Sequence, residues 1–122
     1  MKINIQGPLS NYDLQDWADI LDIKLRGIYM IDTLPKRINL NEKSIINLDS
    51  IMNSGTHWVA YKKHAQKVYY FDPIGNLQPP IQLINYFKQQ PNVEIYFNYD
   101  QLQTLNSNVC GHFCLLFLAD AL

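Results

Sequence analysis

The sequence predicts an α+β fold in which a mainly antiparallel sheet packs against a core helix near the carboxyl end. Two runs of β-branched and aromatic residues, at 58–61 and 68–71, flank a polar stretch and predict a β-hairpin. Apolar residues at helical spacing precede this hairpin. Residues 110–121 are dense in Leu and Phe, which is typical of a buried helix.

The amino-terminal part predicts one helix and two strands. Ser10 is a typical N-cap residue and Asp13 follows three residues later, so an amphipathic helix is expected over residues 11–22. Its apolar positions recur at helical spacing: Leu14, Trp17, Ala18 and Leu21. Apolar runs at 28–31 and 44–48 then predict two short strands.

The rest of the chain predicts a hairpin, a helix, a strand and a final helix. Residues 58–63 and 67–71 are expected to pair antiparallel around the polar stretch 62–67. Pro79 and Pro80 fit a helix start, so a helix is expected from there to residue 89, followed by a strand at 93–97. The final helix, 110–121, follows residues of capping type: Asn106, Ser107 and Asn108. We interpret residues 1–122 as a single domain.

Composition argues against several classes of function. The 122 residues include ten basic and eleven acidic side chains, with a formal net charge of −1. This balance lacks the basic footprint of a dedicated nucleic-acid-binding protein, so weak or absent DNA binding is expected. The longest uncharged apolar run, residues 114–119, is far shorter than the ~20 residues of a membrane span. The first residues lack a signal-peptide core, which favours a protein that is not secreted.

The two cysteines, Cys110 and Cys114, differ in their predicted surroundings. A pair four residues apart provides no disulfide framework, so both are expected to be free thiols. Cys110 lies in the first turn of the predicted final helix, where unpaired N–H groups favour a thiolate, and Gly111 beside it permits close approach. Cys114 lies one turn further, among Phe and Leu, and is expected to be buried and inert.

A thiolate nucleophile needs a base, and three histidines are available. His57 opens a predicted strand after Gly55 and Thr56, where it can reach a helix amino terminus. His64 lies in the predicted hairpin turn and is expected to be solvated. His112 follows the cysteine by two residues and therefore points from a different helical face. We therefore take His57 as the candidate base.

The predicted hairpin brings a carboxylate to this histidine. Antiparallel pairing that is near-symmetric about residues 64 and 65 places His57 opposite Asp72 at the open end of the hairpin. An Asp in that position can hold the imidazole in the tautomer that leaves its other nitrogen free for the thiol.

The motifs GTHWVAY at 55–61, YFDPIG at 70–75 and NSNVCGHFC at 106–114 resemble the adenovirus maturation protease family, adenain. They are especially similar to the small relatives encoded by virophages and polinton-type elements. The resemblance implies a cysteine endopeptidase with Cys110 as nucleophile, His57 as base and Asp72 as orienting carboxylate. Gln103, seven residues before the cysteine, would supply an oxyanion donor together with the Cys110 backbone N–H. From the residues alone, a polar loop residue is the favoured interpretation of Gln103, and the oxyanion role rests on the resemblance.

The resemblance also implies a biological setting. Substrates would be viral structural precursors such as capsid proteins, cleaved after small residues during virion maturation. The protein would act in the virion or the infected cell, as a hydrolase that needs no cofactor or metal. No cysteine here corresponds to the one that links adenain to its peptide cofactor, so the need for a peptide activator stays open.

Four alternatives are weighed against this interpretation. A deubiquitinase- or deSUMOylase-type protease of the same clan would use the same residues but usually has a larger catalytic domain. An acyltransferase with the same catalytic set is the second. A zinc module built from Cys110, His112 and Cys114 is disfavoured because residue 112 points away from the other two on a helix. An inactive interaction domain is disfavoured because all four expected catalytic residues are present.

Overall fold

The fold combines one five-stranded sheet with three helices. The computed structural model describes residues 9–49, 57–75, 77–101 and 110–121. Within them lie the helices α1 (Asn11–Ile20), α2 (Ile81–Phe87) and α3 (Cys110–Leu118). The strands are β1 (Gly27–Met30), β2 (Asn41–Asn47), β3 (Trp58–His64), β4 (Lys67–Phe71) and β5 (Glu94–Phe97). The predicted α+β class is confirmed.

The sheet has the strand order β1-β2-β3-β4-β5 and is mixed. The three central strands, β2, β3 and β4, pair antiparallel. The two outer strands are parallel to their neighbours, β1 to β2 and β5 to β4. The predicted antiparallel pairing therefore applies to the centre of the sheet. Parallel neighbours need a crossover connection, and α2 lies within the one between β4 and β5.

The helices cover opposite faces of the sheet. One apolar cluster joins Ile45, Ala60 and Phe71 of the sheet to α1 and α3, and it includes Cys110 and Cys114. The other cluster joins alternate strand residues, such as Ile46 and Val59, to α2. Successive side chains along a strand point to opposite faces of the sheet. Neighbouring residues of β2 and β3 therefore contact different helices: Ile45 packs with α1 and α3, and Ile46 packs with α2.

Local sequence explains how α1 begins and ends. Ser10 and Asp13 form a capping box, in which each side chain accepts a hydrogen bond from the other residue's backbone N–H. The helix ends at Ile20, two residues before the predicted end, and Asp22 has a φ of 58°. A residue in the left-handed region cannot continue an α-helix. Among the described residues, no helix is long and apolar enough to cross a membrane.

The register of the β3–β4 hairpin differs from the predicted one by two residues. The strands pair Ala60 with Phe71, so a one-residue extension places Asp72 opposite Val59 rather than opposite His57. His57 is two residues from Val59, on the same side of the chain. The contact between His57 and Asp72 is therefore diagonal, a geometry within reach of longer side chains.

The turn of this hairpin explains the difference. Lys62 and Lys63 continue β3, and the strand ends only at His64. The chain reverses through two residues, and the first, Ala65, has a φ of 54°. The prediction treated the polar residues from 62 onward as turn, whereas both lysines find partners that let them stay in a strand. Lys63 donates to the backbone carbonyls of Asn39 and Leu40.

Candidate active site

The thiol of Cys110 lies where α3 meets β3. Cys110 is the first residue of α3 and is almost fully buried in the cluster that this helix shares with the sheet. The backbone N–H of Trp58 donates a hydrogen bond to its Sγ at 3.2 Å. An N–H donor aimed at sulfur stabilises negative charge there. The side chain of Cys110, at the amino-terminal end of the buried helix α3, is thus held against Trp58, the first residue of β3.

His57 connects this thiol to a carboxylate. Its Nε2 lies 2.9 Å from Oδ1 of Asp72. On the other side, its ring interacts with the Cys110 side chain, which favours the protonated form of the imidazole. The structure therefore brings together three of the four predicted site residues, with the histidine between the other two.

The surroundings of His57 favour its protonated form. Partial burial lowers the pKa of His57, but the hydrogen bonds to Asp72 and Cys110 and the charges of both partners outweigh burial and raise the pKa to about 9. At neutral pH the imidazole is therefore mainly a cation. A cation beside a thiol is the arrangement that favours a thiolate–imidazolium ion pair.

The carboxylate of Asp72 is held by the turn that follows β4. Asp72 is 1% exposed. Its Oδ1 accepts the backbone N–H of Ile74 at 3.0 Å, and its backbone carbonyl accepts the N–H of Gly75 at 2.8 Å. Gly75 has a φ of 82°, and a Cβ there would lie 2.4 Å from the carbonyl oxygen of Asp100. Only glycine fits this turn, and the turn sets the direction of the carboxylate.

Asn98 holds the backbone of the same aspartate. Its Oδ1 accepts the N–H of Asp72 at 2.8 Å, and its Nδ2 donates to the carbonyl of Asp72 at 2.7 Å. Nδ2 also donates to the carbonyl of Asp100 at 3.1 Å. Asn98 directly follows β5, which runs parallel to β4, so the parallel register brings it beside the residue that follows β4. It couples the edge strand to the candidate site.

The remaining predicted residues have different outcomes. Gln103 lies outside the described residues, so its oxyanion role stays a prediction. Cys114 is fully buried as predicted, and burial, with the nearby Cys110 and Asp72, raises its pKa well above the ordinary value. His64 is exposed at the end of β3, which confirms its predicted solvation. His112 is half-buried, and its Nδ1 has no hydrogen-bond partner.

The described part of the chain contains no group of three or more His, Cys, Asp or Glu side chains that could hold a metal ion. Neither Cys110 nor Cys114 forms a disulfide. The candidate site places a thiol, an imidazole and a carboxylate next to one another, with the imidazole in the middle.

Two contributors to the site were not predicted from the sequence. The Trp58 N–H is a backbone group, and a backbone donor carries no sequence signature. Asn98 could have been predicted from the sequence, because a polar residue directly after a strand lies at the end of the sheet, where the candidate site residues also lie. The prediction described the strand at 93–97 but assigned no role to the residue after it.

Comparison with known proteins supports the fold. No protein-family profile and no curated protein sequence matches the chain. Among solved structures, the chain is similar to a crystal structure of the ASFV pS273R protease, with a TM-score of 0.58 and 18% identity. A selenomethionine crystal structure of the same protease gives a TM-score of 0.58 and 16% identity. Each match covers 93% of this chain but only 57% of the protease. The chain therefore shares the fold of a protease over nearly its whole length.

Proposed function

We propose that this protein is a cysteine endopeptidase in which Cys110 is the nucleophile, His57 the general acid and base, and Asp72 the orienting carboxylate. The observation that carries the proposal is the position of His57, which is hydrogen-bonded to the Asp72 carboxylate and interacts with the Cys110 side chain. A nucleophile, a base and a group that orients the base, in that order, form the arrangement shared by many acyl-transfer enzymes. The similarity in fold to a protease supports the same conclusion.

The first half-reaction would form a thioester. The Cys110 thiolate attacks the carbonyl carbon of the scissile peptide bond, and the carbonyl oxygen becomes an oxyanion. His57, already protonated, donates its proton to the nitrogen of the leaving amine as the carbon–nitrogen bond breaks. Asp72 keeps the imidazole aligned between sulfur and leaving group and stabilises its charged form.

The second half-reaction would release the acyl group. His57 is neutral after giving up its proton, so it can deprotonate a water molecule that attacks the thioester. The thiolate leaves, and the proton taken from water restores the ion pair. The Trp58 N–H at 3.2 Å from Sγ would stabilise the thiolate at the start and end of this cycle.

The oxyanion needs donors in both half-reactions. By the family resemblance, these are the side-chain amide of Gln103 and the backbone N–H of Cys110. Loss of one such donor typically raises the barrier by about 2.7–4 kcal/mol. Gln103→Ala is therefore expected to lower kcat by about 10²–10³-fold with little change in the unfolding midpoint.

The resemblance to adenain extends the proposal to substrate and setting. We propose that the substrates are viral capsid precursors, cleaved after small residues such as glycine during virion maturation, in the virion or the infected cell. Residues 1–122 would act as one catalytic domain. The scissile segment must be extended and accessible, since the thiol lies at the end of a sheet beside a buried helix.

The proposal is tested by incubating the purified protein with the capsid proteins encoded beside it and mapping new termini by mass spectrometry. Cleavage by the wild type, and none by a folded Cys110→Ala variant, is the expected result. A fluorogenic thiol-reactive probe provides a second readout that needs no substrate. Cleavage that persists in Cys110→Ala, or a Cys110 thiol no more reactive than free cysteine, would overturn the assignment.

A further inference from the structure

Trp58 connects the start of α1 to the candidate nucleophile. Its indole N–H donates to the backbone carbonyl of Leu9 at 3.1 Å, and its backbone N–H donates to Cys110 Sγ at 3.2 Å. All three residues are buried, with 4% of Leu9, 7% of Trp58 and 2% of Cys110 exposed. Because little water reaches these groups to compete for them, both hydrogen bonds are effective in fixing their positions. One residue thus links two segments that are far apart in the sequence.

The end of β4 explains why the Trp58 backbone N–H can serve the thiol. The N–H of Leu48 donates to the His57 carbonyl at 3.0 Å, which continues the β2–β3 ladder. Backbone N–H groups of successive strand residues point to opposite sides, so the Trp58 N–H points away from β2. On that side β4 ends at Phe71, which pairs with Ala60, so the strand stops before it reaches Trp58. The N–H is left outside the ladder, and Cys110 Sγ accepts it.

The indole ring of Trp58 sets the spacing between β3 and α3. A Cβ at Gly111 would lie 3.4 Å from Trp58 Cδ1 and 3.5 Å from Leu9 Cβ. The ring therefore packs against the backbone of the residue that follows Cys110, beside the Leu9 side chain. Rotation of the ring would change this packing, and the hydrogen bond to the Leu9 carbonyl opposes such rotation. Since a hydrogen bond weakens steeply with distance and angle, the ring position determines how well the Trp58 N–H serves the sulfur.

The capping box of α1 orients the Leu9 carbonyl. Leu9 directly precedes Ser10, whose backbone N–H and hydroxyl both donate to Asp13 Oδ2, at 3.0 and 3.1 Å. The N–H of Ser10 and the carbonyl of Leu9 belong to one planar peptide group, so a bond that fixes the first also fixes the second. Leu9 and Leu14 occupy the two positions of a hydrophobic staple, and both belong to the apolar cluster that contains Cys110.

We infer that the Trp58 side chain is a positioning residue for the thiol, and that the capping box of α1 acts through it. Asp13 orients the Leu9 carbonyl, the carbonyl holds the indole, and the indole keeps the Trp58 N–H on Cys110 Sγ. An N–H donor stabilises a thiolate more than a thiol, so the effect is on the ionised nucleophile. For its effect on turnover this inference rests on the proposed endopeptidase function, whereas its effect on the thiol needs no substrate.

The test measures the pH at which iodoacetamide alkylates Cys110 at half its maximal rate. The Cys114→Ala protein is the parent, so that one thiol remains. Trp58→Phe keeps an aromatic ring and removes the indole N–H. Half-maximal alkylation should move to a pH about one unit higher than in the parent, and below that pH kcat should be about tenfold lower with KM nearly unchanged. Altered access to the thiol would change the maximal rate and leave this pH where it was.

Trp17→Phe is the matched control, because Trp17 packs against the same apolar cluster from α1. It should lower the unfolding midpoint without moving the pH of half-maximal alkylation. An unchanged pH in folded Trp58→Phe, or an equal shift in Trp17→Phe, would overturn the inference. A rise in KM with unchanged alkylation would also overturn it, since Trp58 would then contact the substrate and not position the thiol.

Asp13→Ala tests the far end of the chain of contacts and decides the matter if Trp58→Phe does not fold. It removes the acceptor of both Ser10 donors, so the pH of half-maximal alkylation should rise by about half a unit, a factor of about three in thiolate below that pH. Asp19→Ala is its control on the same helix, where Asp19 accepts from Gln15 at 2.9 Å. A shift in Asp13→Ala alone supports the inference, and no shift, or an equal one in Asp19→Ala, contradicts it.

The alkylation readout separates this inference from the proposed function. If the parent hydrolyses peptides and the Trp58→Phe and Asp13→Ala variants show its alkylation profile, the inference is wrong and the endopeptidase proposal stands. If no form of the protein hydrolyses a peptide, the proposed function fails, and the pH of half-maximal alkylation still decides the inference. In the double variant the shift should equal that of Trp58→Phe alone, because Asp13 acts through the indole; an additive shift would contradict this order of contacts.

Discussion

Replacing Asp72 with asparagine tests whether the carboxylate tunes the histidine or only positions it. The amide oxygen of asparagine can still accept a hydrogen bond from Nε2 of His57, so the ring keeps its orientation. The amide carries no charge, however, and cannot stabilise the imidazolium. We therefore expect Asp72→Asn to retain measurable activity near neutral pH. Its activity should fall below that of the wild type increasingly as the pH rises.

The magnitude follows from the pKa of His57, which the folded protein raises from 6.5 to about 9. Such a difference corresponds to about 3 kcal/mol in favour of the imidazolium, and solvent near the ring, whose side chain is 21% exposed, reduces this figure. Loss of one adjacent opposite charge typically lowers a pKa by about 1–3 units. The alkaline limit of activity, set by loss of the general-acid proton, should therefore move from about pH 9 to about pH 6–8.

The same shift has a consequence for stability with a defined sign. Because the folded-state pKa of His57 lies above its ordinary value, the protonated ring stabilises the fold fully below pH 6.5. This contribution is lost as the pH rises through about 9. In Asp72→Asn the loss should occur at lower pH.

The assay is kcat/KM against pH for one fluorogenic peptide. Relative to wild type, Asp72→Asn should lose about tenfold more activity at pH 8.5 than at pH 6.5. Asp120→Asn is the control, because Asp120 is exposed beyond the opposite end of α3 and pairs with Lys62. An unchanged alkaline limit in Asp72→Asn, or an equal shift in Asp120→Asn, would refute the reasoning.

Three further predictions follow from the same contacts. Cys110→Ala should abolish turnover. Cys114→Ala should lower the free energy of unfolding by about 1–2 kcal/mol and leave kcat unchanged. Equal losses of activity in folded samples of the two variants would contradict this distinction. Asn98→Ala removes three hydrogen bonds and should cost about 1–3 kcal/mol of stability, and it should also shift the alkaline limit of kcat/KM downwards, which a purely structural residue would not do. Duplex DNA should not stimulate peptide cleavage at about 0.15 M salt, because Lys62 pairs with Asp120 and Lys63 is buried against backbone carbonyls. A large DNA-dependent rise in the cleavage rate would show that other basic residues form a DNA-binding patch.

The hairpin shows how far residue patterns carry a structural prediction. The aromatic and β-branched runs gave the two strands, and the order of His and Asp at their open ends led to a correct expectation that the side chains meet. The register was wrong by two residues because the turn was placed by polarity. Lysines can stay in a strand when their ammonium groups reach acceptors, as Lys63 does with the carbonyls of Asn39 and Leu40.

The residue pattern selected Cys110, His57 and Asp72, which the structure places next to one another, but it gave no sign of the backbone N–H of Trp58. Cysteine, histidine and aspartate are rare enough, and reactive enough, that their order along the chain suggests a mechanism. The backbone N–H of Trp58 has no comparable sequence signature, because every residue except proline carries a backbone N–H.

Gly111 connects the sequence to the geometry at the thiol. The glycine was predicted to permit close approach of another segment, and a Cβ at this position would lie 3.1 Å from Leu14 Cδ2 and 3.4 Å from Trp58 Cδ1. Glycine inside a helix costs about 1 kcal/mol relative to alanine, so its presence after Cys110 needs a reason. The reason is distance: without a Cβ, α3 packs directly onto Trp58, and the N–H of that tryptophan reaches the sulfur. The residue that weakens the helix thereby fixes the thiol beside His57, the position on which the proposed chemistry depends.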